Sequence, residues 1–285
     1  MSDRPASLDL AVIGNCSIAS LIDLRGRHVF TCLPRLDGDP VFCRLLDDGE
    51  DRGYFDVELA GCVRSSQHSL RNTAVVETRL EAADGAAVRI LDFCPRFRQF
   101  DRMFHPMMIV RIVEVAAGRP RVRVRMRPRQ RYGETEYAVR RGSHHLRYIG
   151  DALDLRLTTN TSLDYIVEER WFALEDPLTL VLGPDESIAE SVDGLGARFL
   201  ASTTDYWRDW VRTLAVPFEW QEPVIRAAIT LKLCSYEDTG AIVAALTTSI
   251  PEAPGSERNW DYRYCWLRDS LFTVKALNRL GATRT

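Results

Sequence analysis

The stretch AVVETRLEAADGAAVRILDF, residues 74–93, decides the fold class of this chain. Apolar and polar side chains alternate on both sides of Asp84-Gly85, and a period of two residues is typical of a strand with one buried face. Aspartate followed by glycine suits the positive backbone angles of a tight turn, so the stretch predicts a β-hairpin. The hairpin indicates antiparallel β-structure in this part of the chain.

Other short runs rich in β-branched residues surround this hairpin and fill the first two hundred residues. Turn signals separate them, such as LRGR at residues 24–27 and AAGRP at residues 116–120. No internal repeat of fixed length is present. The pattern predicts a large antiparallel β-sandwich over residues 1–200.

Near residue 200 the apolar period changes from that of a strand to that of a helix. In TTDYWRDWVRTL the apolar residues Trp207 and Trp210 begin a helical series, and Asp205 is placed to cap its start. This pattern predicts a linker helix over residues 201–218 that packs on the sandwich.

Residues 219–285 predict a short helical region. One helix is expected from Pro223 to Leu233, because proline is favoured in a first turn. A second helix is expected after Asp269, with Gly281 at its C-terminal end. Its predicted inward-facing residues are Leu271, Val274, Leu277 and Leu280.

Bulk composition limits the classes of partner. The formal net charge of −3 and the pI near 6.0 give no overall attraction to nucleic acid or to an anionic membrane. No apolar run approaches the roughly 20 residues that span a bilayer, and the N-terminus lacks the pattern of a secretory signal. We therefore expect a cytoplasmic protein that binds no nucleic acid and no membrane.

Cysteines and histidines predict no metal site. The seven cysteines are odd in number and never form a CxxC pair, which argues against a disulfide framework and against a zinc site. His144 and His145 are adjacent and would point to opposite faces of a strand. We therefore expect neither a bound metal nor a cofactor, and we expect most cysteines to be buried.

One stretch invites a nucleic-acid interpretation. RPRVRVRMRPRQR places an arginine at every second position from Arg119 to Arg131, so all seven would project from one face of a strand. The alternative is a strand with Val122, Val124 and Met126 in the core and with acidic neighbours that balance the arginines. The second interpretation is favoured, because no stacking aromatic residues are interleaved in the stripe and only two of the 37 cationic residues are lysines.

RNWDYRYCWLRDS, residues 258–270, contains four aromatic and five charged side chains in thirteen positions. In an extended segment, its rings would lie on one face and its polar groups on the other. Aromatic faces stack on the C–H faces of pyranose sugars, while a carboxylate and a guanidinium bind vicinal hydroxyls. The candidate sugar-binding residues are Trp260, Tyr262, Tyr264, Trp266, Arg268 and Asp269.

A structural interpretation of the same stretch stays open at this point. The aromatic residues could form a buried seam, with Asp261–Arg263 and Arg268–Asp269 serving as caps or ion pairs. By composition alone, the two interpretations carry similar weight.

GAIVAALTTSIPEAPGSERNWDYRYCWLRDSLFTVKAL, residues 240–277, closely resembles the signature segment of glycoside hydrolase family 15, the glucoamylase and trehalase family. Residues 9–46 and 72–96 resemble the N-terminal part of its bacterial trehalase-like branch. The resemblance therefore covers nearly the whole chain. Its departures are small and remove no polar group from the site; they are Ile250, Ser256 and Ser270.

The resemblance implies an N-terminal β-supersandwich, a linker helix and the first helices of an incomplete (α/α)6 barrel. It also implies that Arg268 and Asp269 bind hydroxyls of a non-reducing glucose, that Trp266 and Tyr262 line its subsite, and that Tyr264 and Trp260 support the walls. The implied substrate is an α-glucoside such as trehalose or a maltooligosaccharide.

In such enzymes one glutamic acid protonates the leaving oxygen and a second glutamate activates a water molecule, with inversion. The resemblance places both on later barrel helices, so we expect them beyond residue 285 and expect this truncated chain to be inactive alone. Glu252 and Glu257 are weak substitutes, because nothing near them favours a raised carboxyl pKa. Uncovered helices could cause self-association. The alternative function is a non-catalytic carbohydrate- or protein-binding domain.

Overall fold

The computed structural model describes residues 8–46, 52–247 and 256–282. Its strands, in chain order, are β1 (Leu10–Gly14), β2 (Ala19–Asp23), β3 (His28–Leu33), β4 (Asp39–Phe42), β5 (Tyr54–Leu59), β6 (Cys62–Ser69), β7 (Val76–Ala82), β8 (Ala87–Phe93), β9 (Phe97–Gln99), β10 (Arg102–Phe104), β11 (Ile109–Ala117), β12 (Arg121–Arg127), β13 (Arg129–Gln130), β14 (Thr135–Glu136), β15 (Ala138–Arg141), β16 (His145–Ile149), β17 (Leu155–Thr159), β18 (Phe172–Ala173), β19 (Leu178–Pro184), β20 (Ser235–Tyr236) and β21 (Ala241–Ile242). Its α-helices are α1 (Leu163–Val167), α2 (Val192–Arg212), α3 (Gln221–Leu233) and α4 (Leu267–Arg279). Short 3-10 turns cover Arg44–Leu46 and Arg131–Gly133.

Two large antiparallel sheets form the N-terminal part. The first has the strand order β1-β2-β3-β5-β12-β18, with β4 paired to β3. The second has the order β15-β16-β17-β19-β11-β8-β7-β6. Side chains from both sheets share one buried apolar cluster, for example Ile13 and Phe55 from the first and Val88 and Leu180 from the second. The predicted antiparallel β-sandwich followed by a few helices is confirmed.

The hairpin predicted over residues 74–93 is present as β7 and β8. Their register pairs Glu81 with Ala87, and Ala82 donates a backbone hydrogen bond of 2.8 Å to the carbonyl of Ala86. Gly85 has the positive φ of 86°, whereas Asp84 does not share it. Asp84 instead accepts a hydrogen bond of 2.9 Å from the backbone N–H of Ala86 through its side chain. Only the glycine of this pair therefore needs the left-handed region.

The arginine stripe lies on β12 and in the turn after it, and carboxylates face it as the favoured interpretation predicted. Val122, Val124 and Met126 are buried, and the arginines between them point away from the core. Five of the seven arginines form ion pairs, which are Arg123–Glu58, Arg125–Asp56, Arg127–Glu169, Arg129–Glu136 and Arg131–Asp151. Carboxylates consequently balance most of the positive charge on this face.

A buried polar network crosses the sandwich core. Arg111 on β11 forms an ion pair with Asp92 on β8, with Nε and Oδ1 2.7 Å apart, and both side chains are fully buried. From the opposite sheet, Nε2 of His28 lies 3.2 Å from Oδ1 of Asp92, and the carbonyls of Gly26 and Phe55 accept hydrogen bonds from Arg111. The network therefore joins the two sheets by directional bonds in addition to apolar packing.

Helix α2 begins at Val192 and ends at Arg212, so the predicted bounds of 201–218 are wrong at both ends. Ser191 occupies the N-cap position, and Asp205 lies in the middle of the helix. The helix starts early because Val192, Leu195 and Phe199 extend its apolar stripe onto the second sheet.

The later part of α2 packs against the other helices. Trp207, Trp210 and Val211 share a cluster with Ile229 and Leu233 of α3. The same cluster includes Leu277 and Ala282 near the end of α4. Helix α2 thus carries one apolar stripe into two separate cores.

Helix α4 begins at Leu267, two residues before Asp269, and Gly281 follows its end with a φ of 71°. The prediction that Leu271 and Val274 face inward is wrong, because the helix buries only the narrow side that contains Thr273 and Leu277. Its exposed apolar side chains are Leu267, Leu271, Phe272 and Val274.

Candidate functional site

The aromatic loop, residues 256–266, leads directly into helix α4. The prediction of an extended segment with alternating faces is wrong, because residues 262–264 form a turn. A single bridge between Val243 and Cys265 holds the end of the loop. Two further backbone bonds reach it, from Ala244 N–H to the Tyr264 carbonyl (3.1 Å) and from Ala245 N–H to the Tyr262 carbonyl (2.9 Å).

Arg263 explains the turn, because its side chain points into the protein and is only 2% exposed. Its guanidinium forms an ion pair with Asp261, with Nη2 and Oδ2 2.7 Å apart. It also donates to the carbonyl of Gly38 at 2.6 Å and to the hydroxyl of Tyr132 at 2.8 Å. Burying a cation requires such partners, and here the sandwich supplies two of them.

The four rings of the loop divide into two pairs. Tyr262 and Trp266 are partly buried and contact each other, with ring centroids 5.7 Å apart and planes tilted by 43°. The indole N–H of Trp266 donates a hydrogen bond of 3.1 Å to the carbonyl of Asp261, which fixes the ring. Trp260 and Tyr264 are 47% and 53% exposed. The rings of Trp260 and Tyr264 are therefore open to solvent, and the buried-seam interpretation fails for these two residues.

Arg268 and Asp269 lie in the first turn of α4, where the helix dipole favours the carboxylate. Nη2 of Arg268 lies 3.1 Å from Oδ2 of Asp269. The Arg268 side chain is 68% exposed and that of Asp269 is 31% exposed, so both can reach a ligand outside the protein. Together they present a donor and an acceptor beside the aromatic loop.

Among the described residues near the loop, the other carboxylates do not form a pair suited to acid and base catalysis. Glu257 is exposed, and Asp261 is occupied by Arg263. Glu252 lies outside the described residues.

Arg263 and Tyr132, which the structure brings together at the loop, have no function predicted from the sequence. Asp261 and Arg263 were noted only as a possible ion pair. The one signal available was the charged pair itself, since no local pattern shows that Gly38 and Tyr132 surround the guanidinium.

A separate cleft of about 960 Å³ lies between the sandwich and helices α2, α3 and α4. Its buried cations are Arg96, which pairs with Glu237 at 2.5 Å, and Lys232, whose pKa is lowered by burial. Exposed acidic residues also line it, namely Asp101, Asp205 and Asp209. Charges of both signs therefore line this cleft.

Within the described ranges, no group of three or more histidine, cysteine or acidic side chains is arranged to hold a metal ion. All seven cysteines are free thiols, and five are buried. No helix in this part of the chain is long and apolar enough to cross a membrane.

Comparison with known proteins agrees with the fold and the position of the loop. Residues 4–170 match the family model described as "Trehalase-like, N-terminal". Residues 221–285, which include the aromatic loop and α4, match the model described as "Glycosyl hydrolases family 15".

The chain is also similar to curated trehalases along nearly its whole length. It is 30% identical to the trehalase of Mycolicibacterium smegmatis over 313 residues, which covers 98% of this chain and 46% of that protein. It is 28% identical to the trehalase of Thermoplasma volcanium over 276 residues, which covers 94% of this chain and 44% of that protein. The chain thus spans somewhat less than half the length of these relatives.

The β-sandwich followed by helices, together with these matches, places the chain in a glycoside hydrolase family. It belongs to glycoside hydrolase family 15, as a trehalase-like N-terminal portion.

Proposed function

We propose that this chain forms the sandwich and the glucose-binding half-site of an inverting α-glucoside hydrolase of the trehalase or glucoamylase type. One observation carries the proposal: two half-exposed aromatic rings, Trp260 and Tyr264, lie in the loop that leads to the exposed Arg268–Asp269 pair. The similarity to proteins named trehalase supports an α-glucoside such as trehalose or a maltooligosaccharide as the ligand.

The half-site would recognise the non-reducing glucose in two ways. The rings of Trp266 and Tyr262 stack on its C–H face, while Trp260 and Tyr264 support the walls of the subsite. The guanidinium of Arg268 donates to a sugar hydroxyl, and the carboxylate of Asp269 accepts from its neighbour. A site with both a donor and an acceptor suits vicinal hydroxyls better than it suits an anionic or a cationic ligand.

Hydrolysis with inversion requires a general acid and a general base about 6.5–9.5 Å apart, so that a water molecule fits between the base and the sugar. The proposal assigns both roles to glutamates beyond residue 285. Glu257 is exposed in the described structure and is given no catalytic role.

The second candidate function is a non-catalytic domain that binds carbohydrate or a partner protein through the same rings. The exposure of Trp260 and Tyr264 is compatible with this alternative, because exposed aromatic residues are also common in protein interfaces.

The test combines binding and hydrolysis. Trehalose, maltose and maltotriose are titrated against residues 1–285 while tryptophan fluorescence is recorded. Glucose release from the same sugars is assayed on this chain and on a longer gene product that continues beyond Thr285. We expect sugar binding by both proteins and hydrolysis only by the longer one.

Hydrolysis by residues 1–285, after contaminating enzymes are removed, would show that the catalytic acids are within this chain. Sugar binding without hydrolysis by either protein would support the non-catalytic alternative. Absence of any sugar binding by both proteins would overturn the proposal.

A further inference from the structure

We infer that the β-sandwich positions the sugar-binding rings through a contact between Tyr132 and Arg263. The inference rests on the proposed function for its link to sugar binding, but the contact itself is a feature of the fold. Tyr132 lies in the short turn Arg131–Gly133 of the sandwich, 131 residues away from Arg263 in sequence.

Besides Asp261 of its own loop, Arg263 contacts three groups of the sandwich. Gly38 and Tyr132 accept hydrogen bonds of 2.6 Å and 2.8 Å from the guanidinium, and the thiol of Cys32 lies 3.4 Å from Nη1. The guanidinium also lies over the ring of Tyr132, 5.6 Å from its centroid. Strand β3, the turn before β4 and the Arg131–Gly133 turn therefore form a socket for one side chain.

The tyrosine in this socket is itself fixed in place. Tyr132 has a φ of 57°, in the left-handed region that non-glycine residues seldom adopt. Asp39 holds this conformation, because its carboxylate accepts the backbone N–H groups of Tyr132 at 2.9 Å and of Arg131 at 2.5 Å. The two hydrogen bonds from Asp39 hold the strained backbone of Tyr132 and so restrict the position of its hydroxyl.

From Arg263 the contact reaches the rings in two steps. Arg263 binds the carboxylate of Asp261 through Nε and Nη2, and Asp261 also accepts the backbone N–H of Arg263. The carbonyl of the same Asp261 accepts the indole N–H of Trp266. The ring of Trp266 contacts that of Tyr262. Displacement of Arg263 should therefore move the rings that would stack on glucose. Arg263 and Tyr132 are thus positioning residues, which act through the rings and do not contact the sugar themselves.

The experiment uses two substitutions of one residue. Tyr132→Phe removes only the hydroxyl and keeps the ring under the guanidinium, whereas Tyr132→Ala removes both. Tyr132 is 54% exposed, so neither change should unfold the sandwich. Phe100→Ala is the matched control, because Phe100 is also an exposed aromatic residue with a positive φ, of 50°.

Two readouts separate the positioning from the sugar binding. Amide hydrogen exchange at Ala244, Ala245 and Arg263 reports on the loop without any sugar, because these amides bond within or to the loop. Trehalose affinity, from tryptophan fluorescence, reports on the rings. We expect faster exchange at these amides in both variants, about threefold weaker trehalose binding in Tyr132→Phe and about tenfold weaker binding in Tyr132→Ala, with an unchanged Phe100→Ala control.

Unchanged exchange in Tyr132→Ala would overturn the inference. Faster exchange together with wild-type affinity would also overturn it, because the contact would then hold the loop without positioning the rings. Faster exchange in a protein whose wild type binds no sugar would instead support the anchoring contact and overturn the proposed function.

Discussion

Arg268 and Asp269 form an exposed pair, so their contribution to binding can be tested without unfolding the protein. Exposed ion pairs contribute about 0–1 kcal/mol to stability. Loss of a hydrogen bond between a carboxylate and a ligand costs about 1.5–3 kcal/mol. Asp269→Asn should therefore weaken trehalose binding roughly 10- to 100-fold and leave the melting temperature nearly unchanged.

Asp209→Asn is the control for this prediction, because Asp209 also pairs with an arginine on a helix surface, Arg212 of α2, and its side chain is 70% exposed. Both proteins are titrated with trehalose and melted in parallel. An Asp269→Asn protein that binds trehalose as the wild type does would remove this carboxylate from the site.

His28 provides a residue-scale prediction about pH. Burial, and next the nearby Arg111, lower its pKa below the ordinary value of about 6.5. Asp92 accepts from Nε2, and a neutral imidazole can accept from Ser20 at Nδ1. Below about pH 6.5 the unfolded chain therefore binds a proton that the folded chain does not bind. The free energy of unfolding should be highest above this pH and decrease as the pH falls below it.

Urea unfolding at pH 7.5, 6.5 and 5.5 measures this decrease. In His28→Gln the slope of stability against pH should become shallower in this window, whatever the absolute loss of stability. His144→Gln is the control, because His144 is exposed and should leave the slope unchanged. A wild-type protein with equal stability at pH 7.5 and 5.5 would contradict the prediction.

At the residue scale, the sequence was enough to propose candidate residues for the site but not their geometry. The resemblance was enough to select Trp266, Arg268 and Asp269 as candidates, and their proximity follows from adjacent positions in sequence. The inward direction of Arg263 could not be predicted, because its partners Gly38 and Tyr132 come from distant turns of the sandwich.

At the scale of single elements, the two glycines in the first turns of α2 give opposite predictions. Replacing glycine with alanine inside a helix usually adds about 1 kcal/mol of stability. At Gly196 a Cβ atom would lie 2.8 Å from Cγ2 of Thr179 on β19, so overpacking should cost about 1–3 kcal/mol and outweigh the helix preference. At Gly194, which is exposed, the nearest contact is the mobile hydroxyl of Ser191.

We therefore expect Gly196→Ala to destabilise the protein and Gly194→Ala to be neutral or stabilising, as measured by urea unfolding. The two variants control for each other, since both change a glycine to alanine in the same helix. Equal effects of the two changes would show that α2 is not closely packed on β19.

These glycines also explain why the start of α2 was missed. DGLGA carries weak helix formers and reads as a turn, yet tertiary packing of Val192, Leu195 and Phe199 on the sheet keeps it helical. Strands were easier to predict, since the alternation of Val122, Val124 and Met126 is local and survives in the fold. The local period of apolar residues is sufficient to predict that a helix or strand is present. The ends of the helix or strand depend on the parts of the protein that pack against it.

At the scale of the whole molecule, the exposed apolar side of α4 predicts self-association. Three exposed apolar side chains, Leu267, Leu271 and Val274, share one side of the helix at i, i+4 and i+7 spacing, and Phe272 is exposed next to Leu271. Contiguous apolar surfaces of this kind are costly in water. We expect the apparent mass of residues 1–285 to rise with concentration in size-exclusion chromatography with light scattering.

A double substitution, Leu271→Ser with Phe272→Ser, should shift the protein towards the monomer. Val63→Ser is the control, because Val63 is an exposed apolar residue on β6 and lies outside this surface. A wild type that stays monomeric over the whole concentration range would contradict the prediction.

Helix α2 has a consequence for how this architecture can be recombined. Its N-terminal half buries apolar side chains on the sandwich, and its C-terminal half buries Trp207 and Trp210 against α3 and α4. A chimera joined inside α2 would match one core and mismatch the other. A joint placed before Val192 or after Arg212 transfers the helix whole and mismatches only one of the two interfaces of α2, so exchange between homologous genes should be tolerated best at those two borders.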